Sequence, residues 1–153
     1  IIEYISATVA APIDSERVRF KIYDGSFVYE DENIKVTPFT TGHLRRNLSP
    51  SRPSYGFVVE ADGKRAVFSG DLSINLRDGD FPKIALEEEV DLVICEMAHF
   101  SPEAVRPFVE KCKSKELCFN HVYPFDKFDA IKEMNQKYPI NITIAHDGDV
   151  IEL

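Results

Sequence analysis

The chain has 153 residues, 44% hydrophobic and 29% charged, which suits one soluble domain with a core large enough to fold without disulfides. Its formal net charge of −8 argues against broad electrostatic binding to nucleic acid, which needs basic surface. No apolar run is long enough to span a bilayer, no segment has the order of a signal peptide, and the three cysteines are an odd number; together these point to free thiols and a cytoplasmic location.

The first half reads as strands. "VRFKIYDGSFVYEDENIKVTPF" alternates apolar and polar residues, broken at Asp24-Gly25 and again at Asp31-Glu32-Asn33, as an antiparallel meander would be. "SYGFVVEADGKRAVFSGD" repeats the pattern, with Asp62-Gly63 as the hairpin turn. After Asp71 the texture changes. "DLVICEM" is a continuous apolar run, as expected of a strand covered on both faces. "SPEAVRPFVEKCKSK" is helical in pattern, with Ser101 as N-cap and Pro102 in the first turn, while Pro107 should kink it or delay its start. "ELCFNHVYP" is a further strand, and "DKFDAIKEMNQKY" an amphipathic helix with Phe128, Ile131 and Met134 on one face. "INITIAHDGDVIEL" closes with a strand, an Asp147-Gly148 turn and a short strand. A β-meander over 17–71 followed by alternating strand and helix over 72–153 predicts an α/β (α+β) fold with a mixed sheet and helices on one face.

The polar residues that bind metals or move protons sit at the ends of these strands. "IKVTPFTTGH" ends at His43, "RAVFSG" runs into Asp71, "DLVICEMAH" ends at Glu96 and His99, and "LCFNH" ends at His121. Chemistry gathers outside the carboxyl ends of strands, because rigid backbone there projects side chains into a crevice. Zinc and similar ions favour imidazole and carboxylate donors, and an aspartate has two oxygens with which to bridge two ions. Taken singly, a strand-end histidine is also a common hydrogen-bonded loop residue, Gly-Asp a common turn, and Glu96 a residue that could only cap or orient; His146, before a turn, is read as structural. Cys112 and Cys118 lie too far apart for a zinc knuckle.

Taken in order, "TTGH", "FSGDLS", "CEMAH", "FNH" and "AHDGDVIEL" resemble the second half of the metallo-β-lactamase-fold hydrolases, nearest the branch of tRNA 3′-processing endonucleases and related phosphodiesterases. The resemblance covers about 34–153. It implies the C-terminal half of an αββα sandwich, a single partial domain over 1–153. It makes His43 a ligand of one metal ion, Asp71 the bridging carboxylate and His121 a ligand of the second, with zinc or manganese as the ions. His99 would assist departure of the leaving group, with Glu96 as its orienting partner, while a metal-bridging hydroxide attacks the substrate. "AHDGDVIEL" would form the closing strand pair, with no ligand role for His146.

The family's main metal motif, His-x-His-x-Asp-His, belongs to the first half of that fold and does not occur here. Two protein ligands per ion fall short of the usual three or four. The first residue is Ile1, not Met, so the chain is expected to be a piece of a larger hydrolase that alone binds metal weakly or not at all. The other expectation is a non-catalytic module of the same fold, used for binding or assembly without metal. In the first case the partner is the upstream half of the parent protein; self-association through an apolar sheet face would serve in its place. A small-molecule or phosphodiester substrate is implied, and Arg45, Arg46 and Arg52 could hold its phosphate, with Ser54 and Tyr55 lining a pocket.

Overall fold

The computed structural model describes residues 28–44 and 53–153. Seven strands form one sheet in sequential order: β1 (Tyr29–Glu30), β2 (Ile34–Thr41), β3 (Ser54–Ala61), β4 (Lys64–Phe68), β5 (Val90–Met97), β6 (Ser114–Val122) and β7 (Asn141–Ile144). Strands β1 to β4 pair antiparallel, and β4 to β7 pair parallel. The expected mixed sheet is therefore present. The meander's first part, including Asp24-Gly25, lies outside the described residues, as do Arg45, Arg46 and Arg52.

Local chemistry sets the turns. The Asp31 carboxylate accepts from the Asn33 and Ile34 N–H groups, both at 2.9 Å, which turns the chain from β1 into β2. Asp62 and Gly63, at φ 51° and 73°, form the tight β3–β4 hairpin. Beyond β4 the links lengthen, because parallel neighbours need crossovers. They carry a 3₁₀ segment (Ile74–Gly79) and three helices: α1 (Ile84–Glu87), α2 (Pro102–Val109) and α3 (Lys127–Lys137).

The main core lies between the sheet and these helices. Val67, Val93, Cys95, Leu117 and Phe119 point from the sheet into it, and Val105, Val109, Ile131 and Met134 meet them from α2 and α3. Burying a side chain of this kind contributes roughly 1.5–3 kcal/mol. On the other face Ala66, Leu92 and Cys118 form a small cluster with Ile94, Ala145 and Ile151. Phe57 and Phe68, paired across β3 and β4 on that face, remain more than a third exposed.

Two expectations need correction. Helix α2 stops at Val109, short of the predicted "EKCKSK" tail. Pro107 has no N–H to give inside the helix, and the chain tightens into turns in which Lys111 N–H bonds Phe108 C=O and Cys112 N–H bonds Val109 C=O. The last short strand of the expected closing pair is also absent. After β7 the Asp149 carboxylate accepts from His146 N–H at 2.7 Å, and Asp149 N–H returns to His146 C=O at 3.0 Å, so the segment closes on itself instead of continuing the ladder.

Direction along the sheet matters most for function. Since β2 and β4 are both antiparallel to β3, and β4 to β7 are parallel, strands β2, β4, β5, β6 and β7 all point the same way. Their carboxyl ends share one edge of the sheet.

Candidate metal centre

That edge brings together the residues picked out at the strand ends: His43 after β2, Asp71 after β4, Glu96 and His99 at the end of β5, and His121 within the last residues of β6. Asp71 stands between two imidazoles. Its Oδ2 lies 3.8 Å from His43 Nε2, and its Oδ1 lies 3.5 Å from His121 Nδ1. The His99 ring sits between the other two, its centroid 4.5 Å from that of His43 and 5.8 Å from that of His121.

Each side chain is held by a local cause. Gly70 takes φ +59°, and a Cβ there would run into the Tyr55 carbonyl, so the turn that aims Asp71 requires glycine. His121 is the extra residue of a β-bulge: Asn120 pairs with Glu96 and Val122 with Met97, leaving His121 unpaired at φ 47°. A bulge re-aims a side chain away from the alternating pattern of a strand, here towards Asp71. His43 Nδ1 lies 3.2 Å from the Leu72 carbonyl, which fixes the Nδ1–H tautomer and leaves Nε2 facing Asp71.

Glu96 is a buried carboxylate, 2% exposed, in a chain segment otherwise apolar. Its Oε1 accepts from Leu72 N–H at 3.0 Å and from His99 Nδ1–H at 3.0 Å; its Oε2 accepts from Ala98 N–H at 2.6 Å and His99 N–H at 3.1 Å. With both oxygens doubly occupied, Glu96 ties the loop after β4 to the loop after β5 and orients the His99 ring. Nε2 is the His99 ring nitrogen that Glu96 does not engage.

Two residues that sequence reasoning passed over complete the frame. Asp80 Oδ2 accepts from Gly42 N–H at 2.8 Å and Ser73 N–H at 2.6 Å, joining the loops that carry His43 and Asp71. A Cβ on residue 42 would stand 2.9 Å from that oxygen, so glycine admits the contact. Lys127 Nζ donates to the carbonyls of Met97, Ala98 and Phe100 at 2.7, 3.2 and 2.9 Å, clamping the loop that holds His99. Burial pushes its pKa below the usual lysine value, against the opposing pull of Glu96 and Asp126. Their partners are backbone groups distant in sequence, and no residue pattern announces such contacts. His146 pairs with Asp149 at 3.4 Å and belongs to the closing turn.

The donor set fits half of a two-metal site. Ligands about 2.0–2.2 Å from a tetrahedral ion lie about 3.4 Å from one another. The Asp71 pairs at 3.5 and 3.8 Å are close to that spacing, one on each carboxylate oxygen. His43 Nε2, the ring nitrogen not engaged by the Leu72 carbonyl, faces the Asp71 carboxylate, so a nitrogen and an oxygen donor meet at the same place. The donor atoms of His43, Asp71 and His99 also fall within 4.8 Å of one another, as do those of Glu96, His99 and His121. The Glu96 oxygens in the second group are committed to N–H donors.

No family model and no curated protein matches the sequence. Solved structures do resemble it. The metallo-β-lactamase fold protein YhfI from Bacillus subtilis aligns at TM-score 0.65 with 19% identity, over 85% of this chain and 54% of its own. Igni18, a metallo hydrolase from the archaeon Ignicoccus hospitalis, aligns at 0.60 with 10% identity, over 97% of this chain and 64% of its own. CmlA, a diiron β-hydroxylase from Streptomyces venezuelae, aligns at 0.54 with 11% identity, over 78% of this chain and 32% of its own. The chain thus spans about half the length of YhfI and less than two thirds of Igni18. Mixed sheet, helical layer and these alignments agree on one conclusion: the chain has the metallo-β-lactamase-like fold.

Proposed function

We propose that the chain is the C-terminal half of a metal-dependent hydrolase acting on phosphodiesters, in the manner of the tRNA 3′-processing and phosphodiesterase branch. The observation that carries the reading is Asp71, whose two oxygens each face a different histidine. His43 and Asp71 would hold one ion, and Asp71 and His121 the other, with zinc or manganese suited to imidazole and carboxylate donors. When bound, such ions supply an activated water and polarise the bond to be cleaved. His99 hands a proton from Nε2 to the departing oxygen, while Glu96 holds its Nδ1–H and Lys127 fixes the backbone beneath it.

An upstream half would supply the ligands missing on each ion. It would also cover the sheet face that bears Phe57 and Phe68, since apolar area left in water is destabilising. No helix among the described residues is long and apolar enough to cross a membrane, and a cytoplasmic setting suits the free thiols.

The test compares this chain with a form carrying its native upstream sequence. The longer form should bind two ions per chain and hydrolyse bis(4-nitrophenyl) phosphate, while the 153-residue chain binds metal weakly. His99→Ala in the longer form should lower turnover by about 10²–10⁴-fold with metal content unchanged. A longer form that neither binds metal nor cleaves the diester sinks the proposal and leaves the binding-module reading.

A further inference from the structure

A cavity of about 630 Å³ opens beside His43, between the helix-side face of β2, the segment Ser73–Phe81 and α1. Close-packed interiors leave few voids larger than a water molecule, whereas ligand pockets fall at about 300–1,000 Å³. Its lining is mixed. Phe39, Phe81 and Ile84 give apolar surface, and Phe81 is backed by the Phe108 ring at 5.3 Å, stacked. Arg77 and Lys83 bring two exposed cations to the same space. Two carboxylates, Asp78 and Asp80, also line it; the Asp80 oxygen turns to the N–H groups of Gly42 and Ser73 and away from a ligand, although its charge remains.

The wall is built with strain. Leu76 adopts φ 48°, a left-handed region that costs such a residue strain, between Asn75 and Asp78 at 57°, residue types that tolerate it. Those contacts are with the candidate site. Asn75 N–H bonds the His99 carbonyl at 3.2 Å, and Asp80 reaches the residues next to His43 and after Leu72. The cavity wall and the metal-binding loops are therefore one bonded unit.

We infer that this cavity is a binding site for an amphiphilic organic anion, an apolar or aromatic body ending in a phosphate or carboxylate. The body lies against Phe39, Phe81 and Ile84, and the anion meets Arg77 and Lys83. Because His43 lines the cavity, such a ligand lies next to the candidate metal centre. Its role in holding the organic part of a substrate rests on the hydrolase reading; binding itself does not, and is measured without metal.

The probe is 1-naphthyl phosphate, followed by its own fluorescence on titration with the 153-residue chain in EDTA. Saturable one-to-one binding is expected, with amide shifts in the NMR spectrum confined to the cavity lining: Thr37 to His43, Leu72 to Ile74 and the stretch from Arg77 to Ile84. The double variant Arg77→Ser, Lys83→Ser changes two exposed side chains, and circular dichroism should show it folded. It should weaken binding by about tenfold or more, as loss of charge-assisted contacts does. Inorganic phosphate and neutral 1-naphthalenemethanol should each bind at least about tenfold more weakly than the probe, since each lacks one half of the recognition. The inference is overturned by absence of saturable binding, by amide shifts elsewhere on the chain, by an unchanged affinity in the folded double variant, or by inorganic phosphate binding as tightly as the probe. Loss of metal-dependent hydrolysis with this binding intact counts against the hydrolase reading alone.

Discussion

Replacing Glu96 by glutamine tests whether the buried carboxylate holds the site together. Glu96 accepts four hydrogen bonds, two on each oxygen, and three of them come from backbone N–H groups of Leu72, Ala98 and His99. A glutamine has one acceptor oxygen. Whichever way its amide turns, its NH₂ group meets two donors that formerly had an acceptor. Hydrogen bonds to a charged group are worth roughly 1.5–3 kcal/mol each, and water can reach part of the His99 side. A net loss of about 3 kcal/mol follows, or a fall in Tm of about 6–12 °C for a chain of this size. Urea denaturation followed by circular dichroism measures the first, and hydrogen exchange at Leu72 and Ala98 locates it. A loss under about 1 kcal/mol, with those two amides still protected, would refute the claim that this carboxylate couples the loops.

Lys127→Met should destabilise the fold by about 1–3 kcal/mol, because three carbonyls lose a donor, and should raise exchange in the loop 97–100; equilibrium unfolding and mass-resolved exchange read both. Gly70→Ala should cost about 2 kcal/mol or more, since the position combines φ +59° with a Cβ blocked by the Tyr55 carbonyl, and a thermal melt checks it. The Asp91 carboxyl is held below its ordinary value by Lys115 and by the Arg65 N–H. Its contribution is complete above the unfolded carboxyl pKa of about 3.9 and is lost as pH falls through the lower folded value. Asp91→Asn should therefore flatten the fall in stability below about pH 4, seen in acid titrations followed by circular dichroism.

Alternating strands and the Asp62-Gly63 turn were legible because their causes are local: period-two burial and a backbone that accepts positive φ. The strand-end residues were legible for a related reason, since parallel strands bring their carboxyl ends to one edge. Asp80 was not. Its partners, Gly42 and Ser73, lie 38 and 7 residues away, and both contacts are to backbone N–H groups that carry no residue identity. Lys127 was hidden in the same way, reading as one more exposed lysine at the start of α3. The missing final strand failed for the opposite reason. "DVIEL" has strand propensity, but Asp149 satisfies His146 N–H locally before pairing can begin.

The bulge in β6 has a consequence for how the fold tolerates insertion and loss. Asn120 and Val122 occupy consecutive rungs opposite Glu96 and Met97, so the ladder is already complete without the residue between them. Deleting His121 would leave every neighbour facing as it does now and would remove a left-handed residue from the backbone. Selection for stability alone therefore gives no reason to keep it. Of the candidate ligands, this imidazole is the one the sheet could discard by shortening one strand by a single residue, whereas Asp71 stands in a turn whose geometry Gly70 and Tyr55 share.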